Sequence, residues 1–224
     1  LAAASGAQVH VATLLDGREV VVKVQRPHAG RIAELDLDIL LRMCRMLHRN
    51  APWARRMGLL KLAEGFAASI REELDYREEV DNMAAMRRSL DRRGVRIPTV
   101  ERELCSSKNI VMERFDGRPV SRASFISDLS REQRQKSAQT LMEAVLDQIV
   151  NDGIFHADLH PGNVCIWPDG TVGLLDFGSV GRLDAASRRA LARLLWAIDA
   201  DDPVTATDSL LGLVDAPKDL DERR

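Results

Sequence analysis

His156-Ala157-Asp158-Leu159-His160-Pro161-Gly162-Asn163, followed by Asp176-Phe177-Gly178, is the stretch on which the reading of this sequence turns. Asn163 stands five residues after Asp158, and Asp176 eighteen after it. Between the motifs, the short apolar runs Val164 to Trp167 and Thr171 to Leu175 are joined by Pro168-Asp169-Gly170, a β-hairpin pattern. An Asp and an Asn at this spacing on one loop, then an Asp-Phe-Gly after a hairpin, are what phosphoryl transfer requires. They supply a carboxylate beside the attacking hydroxyl and oxygen ligands for the metal that holds the nucleotide phosphates. Pro161 and Gly162 let the loop bend so that Asp158 and Asn163 converge. Asp158 capping a turn and Asp176 ending a strand is the plain alternative; two motifs in register around one hairpin favour the chemistry.

Outward from this stretch, Ser130 caps a helix expected over 131–152, with Leu141, Val145 and Ile149 on its buried stripe and Gly153 as its stop. After it, a helix over 188–198 presents Leu191, Leu194, Leu195 and Ile198, and the tail beyond Asp215 is polar. The first half opens on a tight turn of small residues, Ala2 to Gly6. A hairpin follows, with strands Val9 to Leu14 and Arg18 to Val24 around Asp16-Gly17. Helical spacing then runs from Asp36 to Leu47 (Leu37, Leu40, Leu41, Cys44, Leu47). It resumes through Leu59, Leu62, Phe66, Ile70 and Leu74, in a helix expected to continue past Glu79. Residues 96–100 and 109–115 read as strands, and Asp116-Gly117 as a turn. The predicted fold is α+β with two lobes: residues 1–115 strand-rich with inserted helices, residues 116–224 helix-rich.

Composition narrows the function. The 224 residues carry 32 Lys and Arg against 34 Asp and Glu, a net charge of −2, which excludes nucleic-acid binding driven by bulk charge. Cys44, Cys105 and Cys165 are scattered without a C-x-x-C pair, which argues against a disulfide framework or zinc site and for a reducing, cytoplasmic setting. No apolar run is long enough to span a bilayer. The opening Leu1-Ala2-Ala3-Ala4-Ser5-Gly6, without Met, reads as mid-domain sequence, so a piece truncated at both ends is the expectation.

Two further features bear on phosphate chemistry. Lys23 lies inside the apolar strand Val20-Val21-Val22-Lys23-Val24, where a buried ammonium is costly unless it meets a carboxylate or phosphate; an edge lysine reaching solvent is the alternative. The stretch Glu72-Glu73-Leu74-Asp75-Tyr76-Arg77-Glu78-Glu79 offers partners, with Asp75 and Glu79 within about 40° of each other on one helix face. A solvated charged face is the alternative there.

With these residues the sequence resembles the UbiB/AarF family of atypical kinases. The likeness is carried by Ala2-Ala3-Ala4-Ser5, Gln8-Val9-His10, Asp16 to Val20, Val22 to Pro27, Glu73-x-Asp75-Tyr76 with Glu79 and Asn82, Val111-Met112-Glu113, and the two motifs quoted first. The resemblance implies a two-lobed protein-kinase-like fold that binds ATP and Mg²⁺. It implies Lys23 as the lysine on the α/β-phosphates, Glu79 as its carboxylate partner, and Ala2, Ala3, Ala4 and Ser5 as the phosphate loop. Met112, Glu113 and Phe115 fall in the hinge that takes the adenine edge. Asp158 takes the catalytic-base position, Asn163 and Asp176 hold Mg²⁺, and Glu73 and Asp75 match a regulatory E-x-D pair that in relatives engages an N-terminal extension. It further implies partners in membrane lipid or quinone biosynthesis, with peripheral membrane contact through parts of a longer parent; the oligomeric state is not readable. The K-x-G-Q segment of the family is missing, Gly6 and Leu159 depart from its usual residues, and no A-P-E-type segment follows Gly178, so a peptide-substrate platform is not recognisable.

The implied function is Mg²⁺-dependent phosphoryl transfer from ATP to water or to a small or lipid hydroxyl. Two alternatives stay open: a small-molecule phosphotransferase of the aminoglycoside or choline type, which shares the H-x-D-x-H-x-G-N-like loop, and a nucleotide-binding pseudokinase scaffold. A metal hydrolase built on His156, Asp158 and His160 is disfavoured because so short a loop rarely converges three ligands.

Overall fold

The computed structural model describes residues 2–4 (backbone only), 7–121 and 128–213. The chain forms an α+β structure of two compact units, which interleave along the sequence. The described residues within 1–84, 98–116 and 176–179 form the first, and those within 85–97, 117–175 and 180–213 the second.

In the first unit, β1 (Ala2–Ala4), β2 (Ala7–Thr13), β3 (Glu19–Gln25) and β5 (Asn109–Glu113) make an antiparallel sheet in the order β1-β2-β3-β5. Asp16-Gly17 turns β2 into β3 as expected: Gly17 adopts φ +88, and the Asp16 carboxylate accepts from the Arg18 N–H at 3.0 Å. The turn expected over Ala2 to Gly6 is corrected. Ala2–Ala4 are a strand whose register pairs Ala4 with Ala7, leaving only Ser5 and Gly6, which lie outside the described residues, to connect them.

Helices α1 (Ala29–Asn50), α2 (Pro52–Arg56) and α3 (Leu59–Glu73) follow β3, and α4 (Tyr76–Leu90) begins after Asp75. Leu37, Leu41 and Cys44 of α1 pack on Ala63 and Ala67 of α3, and Glu34 and Arg71 tie the pair at 2.8 and 2.9 Å. Two expectations change here. The helix expected to run past Glu79 ends at Glu73 and restarts at Tyr76. Of the expected stripe, Leu59 and Ile70 pack against this cluster, whereas Leu62 and Phe66 are exposed and the small Ala63 and Ala67, which allow a closer helix approach, take the buried positions.

In the second unit, β4 (Val95–Arg96), β9 (Val172–Leu174), β8 (Val164–Ile166) and β6 (Arg118–Pro119) form one sheet, and β7 (Ile154–His156) pairs with β10 (Val180–Arg182). Helix α5 (Arg131–Asp147) starts on a capping box: Ser130 Oγ accepts from the Gln133 N–H at 3.1 Å, and Gln133 Oε1 accepts from the Ser130 N–H at 2.8 Å. The expected helix over 131–152 is α-helical only to Asp147, and Gln148–Asp152 is a π turn. Ala144 and Gln148 take the buried positions, with Leu141, Val145 and Ile149 half-buried. Gly153, at φ +69, then ends the turn where a Cβ would stand 2.7 Å from the Leu183 carbonyl. Helices α6 (Ala185–Asp199) and α7 (Pro203–Leu211) close the described chain. On α6, Ala197 is buried; of the residues expected inward, Leu191 and Leu194 are half-buried while Leu195 and Ile198 are exposed.

Candidate functional site

Lys23 is held in β3 between Val9 of β2 and Ile110 of β5, and is only 8% exposed. Its ammonium donates to both carboxylate oxygens of Glu79, at 2.8 and 2.9 Å, and to Asp176 Oδ2 at 3.2 Å. The Tyr76 ring covers it at 5.4 Å. The break between α3 and α4 makes this possible. By restarting at Tyr76, α4 places Tyr76 and Glu79 one turn apart on the face toward β3, and both are buried. Gln25, two residues along the same strand, donates to the Leu74 carbonyl at 3.0 Å and pins the break to the sheet.

Burial alone would lower the Lys23 ammonium, but the Glu79 and Asp176 carboxylates outweigh it and hold the lysine above its ordinary value. Burial lifts the Glu79 carboxyl above the usual carboxylate range, against the pull of Lys23. Asp176 has a side chain 38% exposed. Its Oδ1 accepts from the Gly178 N–H at 3.0 Å, while buried Asn82 donates to the Phe177 carbonyl at 3.2 Å. Together these shape a cavity of about 220 Å³ lined by Ala7, Lys23, Gln25, Glu73, Tyr76, Glu79, Asp176 and Gly178 among others.

The structure therefore brings Lys23, Glu79 and Asp176 together, with Glu73 on the same cavity. It does not bring Asp75 there. Asp75 accepts from the Arg77 guanidinium at 2.5 to 3.1 Å, which holds it below the usual carboxylate range. The shared face expected for Asp75 and Glu79 is lost because Asp75 lies before α4 begins. Met112 pairs with Val21 on one side and bridges Val100 on the other, and the Glu113 N–H donates to the Thr99 carbonyl at 2.7 Å, so that N–H is committed to the protein itself. Phe115 follows the end of β5 and is half-buried. Ala2 to Ala4 lie in β1, and Ser5 is outside the described residues. Sequence reading gave no role to Tyr76 or Gln25; the sole tyrosine of the chain, beside an acidic run, was the available signal.

In the second unit, Asp158 and Asn163 converge as the loop spacing predicts. Asn163 Nδ2 donates to the Asp158 carbonyl at 3.0 Å, leaving its Oδ1 as an acceptor. The two loop histidines are acceptors that shape the bend: His156 Nδ1 takes the Asp158 N–H at 3.2 Å and His160 Nδ1 the Gly162 N–H at 3.0 Å. The Leu175 N–H donates to the Asn163 carbonyl at 3.0 Å and closes the hairpin base. The Asp158 carboxylate is exposed, with Oδ2 4.0 Å from His160 Nε2. Among the described residues no three His, Cys, Asp or Glu side chains are grouped to hold a metal ion.

A buried strand lysine doubly bonded to a helix glutamate, an Asp-Phe-Gly, and an Asp-to-Asn loop before a hairpin are the parts of an atypical kinase-like domain. The structure of Mycobacterium tuberculosis Rv3197 in complex with erythromycin matches over 94% of this chain and 52% of its own, at TM-score 0.70 and 29% identity. The chain belongs to the ABC1 atypical kinase-like domain family, whose model matches residues 1–208. It is 36% identical over 207 residues to the probable protein kinase UbiB of Aliivibrio fischeri, covering 87% of this chain and 37% of that one. An uncharacterised protein of Synechocystis is 35% identical over 208 residues, covering 88% and 51%. The chain thus spans about a third to a half of the length of these curated relatives.

Proposed function

We propose that this chain is the nucleotide-binding and catalytic part of an ATP-dependent phosphotransferase or ATPase. The observation that carries the reading is the Lys23 ammonium, bonded twice to buried Glu79 and once to the half-exposed Asp176 beside a cavity. A lysine so oriented presents a fixed positive charge for the α/β-phosphates, and Glu79 keeps it from swinging away. The oxygens of Asp176 and Asn163 suit a hard cation, each within its own unit. Bound Mg²⁺ there supplies neutralisation of phosphate charge. Asp158, exposed and free to reach an incoming hydroxyl, orients the acceptor and takes its proton. Ala2 to Ser5 border the nucleotide phosphates, the Met112 to Phe115 stretch borders the adenine, and Glu73 and Asp75 serve regulation.

The family supports an acceptor in isoprenoid-quinone or lipid metabolism. A second reading, a small-molecule acceptor, is favoured by the complex of the 29% identical Rv3197 with erythromycin, which puts macrolide hydroxyls among those to try. The test is the melting temperature with and without Mg-ATP, for the wild type and Asp176→Asn. Nucleotide at 100 times Kd stabilises by about 2.7 kcal/mol, a rise of several degrees. A magnesium-dependent rise lost in Asp176→Asn supports the reading, and no rise at millimolar Mg-ATP overturns it.

A further inference from the structure

Beyond the end of helix α5 the chain buries an amide where an apolar side chain would pack at lower cost. Gln148 is 1% exposed, yet its Nε2 has no partner among the described residues. A buried polar group left half-satisfied weighs against the fold, so its place calls for another reason. Its Oε1 supplies one: it accepts the backbone N–H of His156, itself buried, at 3.4 Å.

The backbone is irregular at the same point. Gln148–Asp152 is the π turn, and the Gly153 N–H closes it on the Gln148 carbonyl at 2.8 Å. Such wide turns are rare and concentrate at functional sites. Three side chains of the same unit fasten this one. Ser89 Oγ and Arg93 Nη1 donate to Asp152, the latter at 3.0 Å, and the Arg188 guanidinium donates to the Asn151 carbonyl. From Gln148 the bonds run on into the loop. His156 Nδ1 accepts the Asp158 N–H at 3.2 Å, and the Asp158 carbonyl accepts from Asn163 at 3.0 Å. The Asp158 carboxylate itself has only His160, 4.0 Å away, so its direction is set by the backbone that His156 holds.

We propose that Gln148 is a positioning residue for phosphoryl transfer, which fixes Asp158 by holding His156 from below the loop. The proposal rests on the reading of Asp158 as the group that orients the acceptor hydroxyl.

Mg-ATP-dependent phosphate release by the full chain, together with amide exchange followed by NMR, tests it. Gln148→Met keeps the volume and removes the acceptor. Its kcat falls about tenfold or more, while KM for ATP stays within about twofold of wild type. In the Asp158→Asn background the same change has no further effect beyond about twofold, because it acts through that carboxylate. Gln148→Glu, protonated by burial at about pH 6, keeps an acceptor oxygen and most of the rate. Exchange of the His156 and Asp158 N–H groups quickens in Gln148→Met, while that of Gly162, bonded to His160 in the same loop, does not change. Gln148→Asn, which withdraws the amide by one methylene, makes the same test if the methionine variant does not fold.

A lowered melting temperature with kcat unchanged, or a loss that multiplies in full with that of Asp158→Asn, gives Gln148 to the core and overturns the proposal. Unchanged exchange at His156 and Asp158 overturns it too, whatever the rate. A wild type that releases no phosphate refutes the reading of the site instead, and the exchange alone then decides whether Gln148 orders the loop.

Discussion

Taking apart the Lys23–Glu79 pair gives the sharpest check on the site. Both side chains are buried, and Nζ makes two hydrogen bonds to one carboxylate, so removing either partner leaves a charge with little water to solvate it. Glu79→Leu leaves the ammonium only Asp176 at 3.2 Å, and Lys23→Met leaves the Glu79 carboxyl facing an apolar chain. Each single change costs about 3–5 kcal/mol, whereas the double variant, with matched apolar volume, falls within about 2 kcal/mol of wild type. In a urea-denaturation double-mutant cycle the coupling is therefore at least about 4 kcal/mol. The pH dependence adds a sign. Burial already lifts Glu79, and loss of Lys23 removes the attraction opposing that lift. A carboxyl whose folded value is raised stabilises the fold while protonated and loses that contribution as pH rises through the raised value. The cost of Lys23→Met is consequently smaller at about pH 5 than at about pH 8. In the wild type, the raised Lys23 contributes fully at neutral pH and loses its share only as pH climbs beyond about 10.4. A double variant destabilised by the sum of the singles within about 0.5 kcal/mol would refute the argument that the pair is coupled.

Two other outcomes are expected. Asp158→Asn keeps the Mg-ATP thermal shift, since the loop is shaped by the Asp158 backbone N–H and carbonyl, not its carboxylate; radiolabel transfer or phosphate release falls by about 10²-fold or more. Gly153→Ala destabilises by about 2–3 kcal/mol on chemical denaturation, because a Cβ at φ +69 meets the Leu183 carbonyl at 2.7 Å and the Arg188 side chain.

Local chemistry makes much of this legible in the sequence. The Asp16-Gly17 hairpin, the Ser130 cap and the Pro168-Asp169-Gly170 turn depend on residues within a few positions of one another, and all stand in the structure. The likeness to the family rests in the same way on short motifs, as does the convergence of Asp158 and Asn163 over five residues. Helix faces were harder. Spacing alone cannot say whether Leu62 and Phe66 or Ala63 and Ala67 turn inward, because both sets fit one period and the choice depends on how closely a second helix approaches.

Contacts distant in sequence were decided by the tertiary structure. The resemblance marks Glu79 as the partner of Lys23, while helical spacing alone puts Asp75 on the same face as Glu79 and leaves the two open. The restart of α4 at Tyr76, fixed by Gln25 on the Leu74 carbonyl, is what turns Glu79 toward β3 and leaves Asp75 with Arg77. The interleaving of the units has the same origin: residues 176–179 join the first unit through Lys23 of β3 and Asn82 of α4, partners 153 and 95 residues away. The sequence by itself determined the Asp16-Gly17 and Pro168-Asp169-Gly170 turns, the Ser130 cap and the family, since these are written in neighbouring residues. Which carboxylate meets the lysine, and which helix face stays exposed, only the packing could settle, because burial energy depends on surfaces brought together from remote parts of the chain.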